Sequence, residues 1–165
     1  HWTQDPREGG GRIVGEGCHF VDLMQFWTGA HVTRVHAEAV AARDEQVTDE
    51  DNVVVTLRFA DGSNGVLAYV AEGDRSLPKE RAELFGGGLA FVLEDFRRAT
   101  LHRGGREEAL KLRAQDKGQA GQARAVCALV RAGGPLLTPL EDLANTSRAT
   151  FRIRESLRAG RPLDV

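Results

Sequence analysis

Cysteine is nearly absent: Cys18 and Cys127 are the only two in 165 residues. That is too few for the disulfide framework of a small secreted domain, and their spacing is not that of a zinc site. A reducing, cytoplasmic setting is therefore expected. Long apolar runs are missing as well. No stretch approaches the roughly 20 residues that a membrane-spanning helix needs, and the charged, Gly-rich opening lacks the apolar middle of a signal peptide. Nor is there an excess of either charge. With 22 basic against 24 acidic residues and a formal net charge of -2, the chain has no electrostatic footprint for nucleic acid or an acidic membrane surface. The only methionine is Met24, so the chain opens at His1 without an initiator, and an excised or processed segment is expected.

What is present begins with a length and a hydrophobic content of 41% that suit one domain, residues 1–165, with one packed core. Between residues 17 and 27, Phe20, Leu23, Met24, Phe26 and Trp27 fall within one arc of a helical wheel, and Gly29 supplies a stop. Residues 32–42 read as a strand. Residues 52–59 read as a second, because Val53, Val55, Leu57 and Phe59 alternate with Val54, Thr56 and Arg58. The turn Ala60-Asp61-Gly62-Ser63 leads into a third strand at 66–71, completing an antiparallel hairpin. Two further strand pairs are expected about glycine turns: 80–85 with 89–93 around Gly86, Gly87 and Gly88, and 100–103 with 107–112 around Gly104 and Gly105. The period then changes. Ala120, Ala123, Val126 and Val130 predict a helix ended by Gly133 and Gly134. A last helix is predicted with Thr138 as N-cap, Pro139 at its first position, Glu141 completing a capping box and Gly160 past its end. Strands grouped in the middle, without strand-helix alternation, predict an α+β fold: an open, mostly antiparallel β-sheet with helices packed on one face. Its other face, with residues such as Val54, is expected to meet a partner subunit.

Gly11, Gly15 and Gly17 superficially form a dinucleotide-binding pattern. Such a loop needs a buried strand immediately before it, so that the turn delivers pyrophosphate to a helix N-terminus, and the run HWTQDPRE offers none. The glycines read instead as small residues that let a loop and a helix start approach another surface. A stand-alone short-chain dehydrogenase built on them is the weakest option, and no cofactor-binding residue is expected. Glu16, His19 and Asp22 are spaced by three, along one side of a helix beginning near Gly15. An imidazole titrates near neutrality and can exchange a proton with a substrate hydroxyl, while a neighbouring carboxylate orients the ring. Against this stands the plainer reading that a lone histidine bordering an apolar face is structural, and that Asp22 anchors the helix by a buried hydrogen bond or ion pair. One histidine without a second ligand cluster makes no metal site. His31, His36 and His102 read as surface or packing residues, and Cys18 as a small buried residue rather than a reactive thiol. Lys117, in Gln115-Asp116-Lys117-Gly118, is either an anion contact near a helix start or a solvated lysine. Arg97, Arg98, Arg103 and Arg106 alternate with acids like an ordinary charged face.

The run Gly9-Gly10-Gly11-Arg12-Ile13-Val14-Gly15-Glu16-Gly17-Cys18-His19-Phe20-Val21-Asp22, with Gly29 after the helix, resembles the glucose-fructose oxidoreductase/inositol dehydrogenase family, Gfo/Idh/MocA. Asp51-Asn52-Val53, Phe59-Ala60-Asp61-Gly62-Ser63 and Pro78-Lys79-Glu80 resemble the C-terminal domain of that family too. The Gly-Glu-Gly-Cys-His-Phe variant is similar to members fused behind a medium-chain alcohol-dehydrogenase-like domain. The resemblance implies a preceding Rossmann domain that holds NAD or NADP and the family's catalytic lysine, with no cofactor expected in this chain itself. It also implies a substrate-binding and dimerisation role here, the open sheet forming a homodimer or higher homo-oligomer, and a sugar, cyclitol or related hydroxyl or ketone as substrate. His19 matches the family's active-site histidine and Asp22 the aspartate after it, with Arg12 or Lys117 as groups that hold substrate. Many relatives carry an aspartate where this chain has Gly15, and Glu16 is the carboxylate assigned in its place, although one position along a helix turns a side chain by roughly 100°. The alternative is a non-catalytic, sheet-mediated assembly or binding module that has lost redox chemistry.

Overall fold

The computed structural model describes residues 8–41, 52–74 and 76–165. Strand β2 (Val53–Phe59) illustrates how its first part is built. Val53, Val55, Leu57 and Phe59 are buried while Val54, Thr56 and Arg58 are exposed, because successive side chains leave a pleated strand on opposite faces. β1 (Val32–Ala39) pairs antiparallel along one edge of β2 and β3 (Asn64–Tyr69) along the other. At the β2–β3 turn, the Asp61 carboxylate accepts from the Ser63 N–H at 2.9 Å and from its hydroxyl at 2.8 Å. A two-residue strand, β8 (Leu163–Asp164), joins the far side of β1, so the sheet order is β3-β2-β1-β8.

Helices α1 (Cys18–Thr28) and α3 (Leu140–Ala159) bring Val21, Ala149 and Ile153 into one core with Val35, Val55, Leu57 and Phe59. Each large apolar side chain buried there contributes about 1.5–3 kcal/mol. α1 ends where its glycine predicts: Gly29 adopts φ 65° and its N–H bonds the Gln25 carbonyl at 2.9 Å. α3 ends likewise at Gly160, but it begins differently from the prediction. Pro139, with ψ 143°, occupies the capping position without a side-chain cap, so neither Thr138 nor Glu141 forms a capping box. The Pro139 carbonyl accepts from Asp142 and Leu143 N–H groups at 3.2 and 3.3 Å, and the acidic Glu141 and Asp142 of the first turn face the positive end of the helix dipole.

The edge of β1 is closed by side chains of α3. Asn145 accepts from the Val32 N–H at 2.9 Å and donates to the Val32 carbonyl at 3.0 Å. Ser156 accepts from the Ala37 N–H at 3.1 Å and donates to the Arg161 carbonyl at 2.7 Å.

This compact unit comprises His1–Glu72 and Thr138–Val165, and a second comprises Gly73–Leu137. The second is a meander of β4 (Arg81–Gly86), β5 (Leu89–Glu94), β6 (Arg98–Arg103) and β7 (Arg106–Lys111), paired in that order, with helix α2 (Gln119–Ala132), which buries none of its residues. Gly87, Gly88, Gly104 and Gly105 all have positive φ, the conformation that a two-residue hairpin turn demands. The α+β, antiparallel architecture predicted from the sequence is present, with its strands divided between two sheets. The division falls between β3 and β4, where the connection carries Gly73, Asp74, Ser76 and Pro78 and is too long and turn-rich for a hairpin. Ala42, where the first strand was expected to end, lies outside the described residues, as do Asp51 and the opening run through Arg7. Among the described residues no helix is long and apolar enough to cross a membrane.

Replacing Asn145 by Ala should leave both buried main-chain groups of Val32 unpaired, at a cost of about 2–4 kcal/mol. Urea unfolding checks this, and a midpoint that does not move would show that β1 does not need the clamp.

Candidate functional site

The glycine run is read first through its backbone. Gly10 has φ 77°, and a Cβ there would stand 3.1 Å from the side chain of Val14, so only glycine lets the chain turn so tightly into the helix. A π-helical turn follows over Ile13–Gly17, in which the Cys18 N–H reaches back to the Ile13 carbonyl. Gly17 is buried against the Ile13 side chain, 3.4 Å from where its Cβ would lie. The glycines therefore build a wide helix start, and among the described residues no strand precedes them.

The π-turn changes the disposition expected of the three spaced residues. An i→i+5 turn holds more residues than the 3.6 of an α-helix, so Glu16 leaves the line that His19 and Asp22 would share with it. Glu16 faces β3, where the Tyr69 hydroxyl donates to its carboxylate at 2.5 Å. Asp22 faces α3, accepting from the Thr146 hydroxyl at 3.4 Å. His19 is exposed, and among the described residues no hydrogen bond engages its imidazole. Arg12 joins Glu16 at the Tyr69 hydroxyl. Phe20 packs edge-on against the Tyr69 ring, 6.4 Å between centroids at 63°. The structure thus gathers Arg12, Glu16 and Tyr69 into one network at the base of α1, with His19 on the solvent side of the same helix start.

Tyr69 is half-buried, and its phenol is held well above its ordinary range. Burial is the main cause, reinforced by the hydrogen bond to Glu16 and its charge, while Arg12 pulls the other way. The phenol consequently stays protonated and donates to Glu16, a charge-assisted bond that fixes the carboxylate. Burial also pushes the Cys18 thiol up, which disfavours its thiolate. Lys117 belongs to the second unit, where its ammonium pairs with Glu80 at 2.5 Å and lies 5.6 Å over the Phe96 ring. Among the described residues no cluster of three or more His, Cys, Asp or Glu is arranged to hold a metal ion.

Tyr69 was not singled out from sequence. Its signal was its place as the chain's one tyrosine, two residues after Leu67 on the inward side of an alternating strand. The His31 and Asp142 pairing, 2.7 Å apart, joins residues distant in sequence that carry no shared motif.

The sequence profile of the GFO/IDH/MocA C-terminal domain matches residues 1–87. A comparison with curated protein sequences finds no match. Among solved structures, the chain is similar to aldose-aldose oxidoreductase from Caulobacter crescentus complexed with glycerol, at TM-score 0.78 and 19% identity over 100% of this chain and 51% of that one. It is similar to UDP-N-acetylglucosamine 3-dehydrogenase from Acidithiobacillus ferrooxidans, at 0.72 and 20% over 94% and 50%. An oxidoreductase from Agrobacterium radiobacter, in complex with NAD+, L-tartaric acid and magnesium, gives 0.70 and 18% over 92% and 48%. These likenesses establish a shared fold, and the chain spans about half the length of the structures it matches.

The network has a measurable pH signature. The folded chain keeps the Tyr69 proton where the unfolded chain releases it, so the resulting stability is full below the ordinary phenol pKa of about 10 and declines as pH rises above it. Tyr69→Phe should cost roughly 1–2 kcal/mol at neutral pH and flatten the loss of thermal stability above about pH 10. Parallel alkaline melting curves for the two proteins would refute the assignment.

Proposed function

The chain belongs to the GFO/IDH/MocA family, whose C-terminal domain it matches over residues 1–87, and from that premise we propose that it is the substrate-binding and dimerisation domain of an NAD- or NADP-dependent oxidoreductase acting on a sugar, cyclitol or related hydroxyl or ketone. The observation that carries this reading is a solvent-facing His19 on a helix start whose neighbouring carboxylate, Glu16, is fixed by Tyr69. His19 exchanges the proton of the reacting hydroxyl or carbonyl. Glu16 accepts a hydrogen bond from the substrate with an oxygen that Tyr69 leaves available, and Arg12 balances its charge. Asp22 acts structurally, securing α1 to α3 through Thr146. Lys117 is likewise structural, engaged with Glu80. NAD or NADP belongs to a nucleotide-binding half joined to this chain, in a cytoplasmic protein. An aldose-aldose oxidoreductase and a UDP-N-acetylglucosamine 3-dehydrogenase among its neighbours support a hydroxyl-rich small molecule as substrate.

The outer face of the first sheet is the proposed homodimer surface. Val54, Val66 and Val70 are 38%, 64% and 52% exposed, and Ala68 stands directly opposite Val54 in the strand register. An apolar stripe of this kind on an exposed sheet face favours a self-complementary partner.

One observation favours a second reading, a non-catalytic assembly module: Gly15 contributes no carboxylate. The two readings separate in a protein joining this chain to a nucleotide-binding half. His19→Asn should lower kcat/KM for a sugar substrate by about 10²–10⁴-fold with folding intact, and unchanged turnover would leave the assembly reading alone. For the interface, Val66→Arg should convert a dimer to a monomer in sedimentation experiments; a wild-type chain that stays monomeric at high concentration would end the proposal.

A further inference from the structure

Arg97, Arg98, Arg103 and Arg106 look alike in the sequence, but the second unit separates them. Arg103 and Arg106 stand opposite each other beside the Gly104-Gly105 turn. At the other end of the same strand pair, Arg97, Arg98, Lys111, Leu112 and Arg113 line an open, shallow cleft of about 510 Å³. Of its four cations only Arg98 is compensated, by Glu107 at 3.4 Å and Glu94 at 3.9 Å. Among the described residues no ion pair engages Arg97, Lys111 or Arg113. Bonds to backbone carbonyls tie the two sides together instead: Leu112 N–H donates to the Arg97 carbonyl at 2.8 Å, and the Arg97 guanidinium donates to the Arg113 carbonyl at 3.5 Å.

A second observation concerns the turn that leads into Arg97. Asp95 and Phe96 have φ 51° and 50°, the only positive values outside glycine among the described residues. A bulky aromatic there is strained, and such strain persists only where the surroundings over-determine it. Here they do. Asp95 N–H bonds the Glu80 carbonyl at 2.7 Å, Asp116 N–H bonds the Phe96 carbonyl at 3.1 Å, and the Gln115 amide donates to the Asp95 carbonyl at 3.0 Å and carboxylate at 2.8 Å. Lys117 covers the Phe96 ring while held by Glu80. Glu80, Gln115 and Asp116 thus brace the turn, and the backbone on the two sides of the cleft is tied together with Arg113 beside Arg97.

We propose that this cleft binds a phosphate-bearing small molecule, a phosphomonoester or a diphosphate. The Arg113 guanidinium can match phosphate oxygens two at a time, Arg97 keeps donors beyond the one given to the Arg113 carbonyl, Lys111 adds a point charge, and Leu112 offers an apolar contact to the rest of the ligand. The chain's net charge of -2 and the separation of this cleft from Arg103 and Arg106 at the far end of the strand pair favour a small anion over a nucleic-acid strand, which needs a basic track.

The test is calorimetric titration of the 165-residue chain with pyrophosphate and with inorganic phosphate. Pyrophosphate should saturate one site and bind more tightly than phosphate. Lys111→Ala with Arg113→Ala should weaken it at least about tenfold, the loss expected for removing a paired charge-assisted contact. Arg103→Ala with Arg106→Ala removes equal charge from the far end and should leave binding intact. Circular dichroism checks folding; if the first double variant unfolds, Arg113→Lys, which keeps the charge but loses the planar fork, should still weaken binding. Absence of saturable binding, equal loss in both double variants, unweakened binding in Arg113→Lys, or tighter binding of a short single-stranded oligonucleotide would overturn the proposal.

Discussion

Strand β1 has a strand neighbour along only part of its outer edge, and the arrangement of the first unit depends on how the rest is closed. β8 pairs with Arg34 and Val35 alone, and Val165 N–H adds a bond to the Thr33 carbonyl at 3.0 Å. The groups beyond are buried, where an unpaired N–H or carbonyl is costly. Asn145 serves Val32 twice and Ser156 serves Ala37. These residues lie eleven apart on one helix, so α3 can satisfy both ends only in one register along β1. α1 then takes its place from α3, through the Gln25 amide donating to the Asp142 carbonyl at 3.1 Å and through Thr146 and Asp22. The helix that carries His19 is thus positioned by a polar seam two steps away from it.

That rigid support allows the helix start itself to be irregular. A π-turn sits next to a glycine that no other residue could replace without displacing Val14, a local departure from ideal geometry of the kind that recurs at functional sites. Its consequence is to aim Glu16 at β3 while the regular helix after it keeps Val21 in the core and Asp22 toward α3. Tyr69 completes the arrangement from the sheet side, so that the site's carboxylate is held by groups from two different elements.

Much of this was legible in the sequence wherever the cause was local. The alternation in β2, the stops at Gly29 and Gly160 and the paired glycines of the hairpin turns each act within a few residues, and the strands and helices lie where those signals put them. The motif from Gly9 to Asp22 was equally visible. Three features were not, because their causes are nonlocal or are competitions. Tyr69 and Glu16 meet across 53 positions, with nothing in either neighbourhood to link them. The division of strands between two sheets depends on the connection after β3 and not on any strand's own pattern. The start of α3 pitted a capping box against Pro139 in an extended conformation, and Pro139 prevailed.

The two units also differ in what holds them together. All the buried apolar side chains of the described residues lie in the first unit, so its cohesion is hydrophobic and scales with area removed from water. The second unit relies on its strand ladders and on ion pairs such as Arg81 with Glu83 and Glu94, and exposed pairs of this sort contribute only about 0–1 kcal/mol each. A strained Asp95-Phe96 turn is out of keeping with so little reserve unless other bonds restrain it. The bonds that do so come from Glu80 on one side and from Gln115 and Asp116, close after Arg113, on the other. An aromatic held at positive φ by bonds from both flanking segments is thus a fixed point in a unit whose other side chains are mostly exposed.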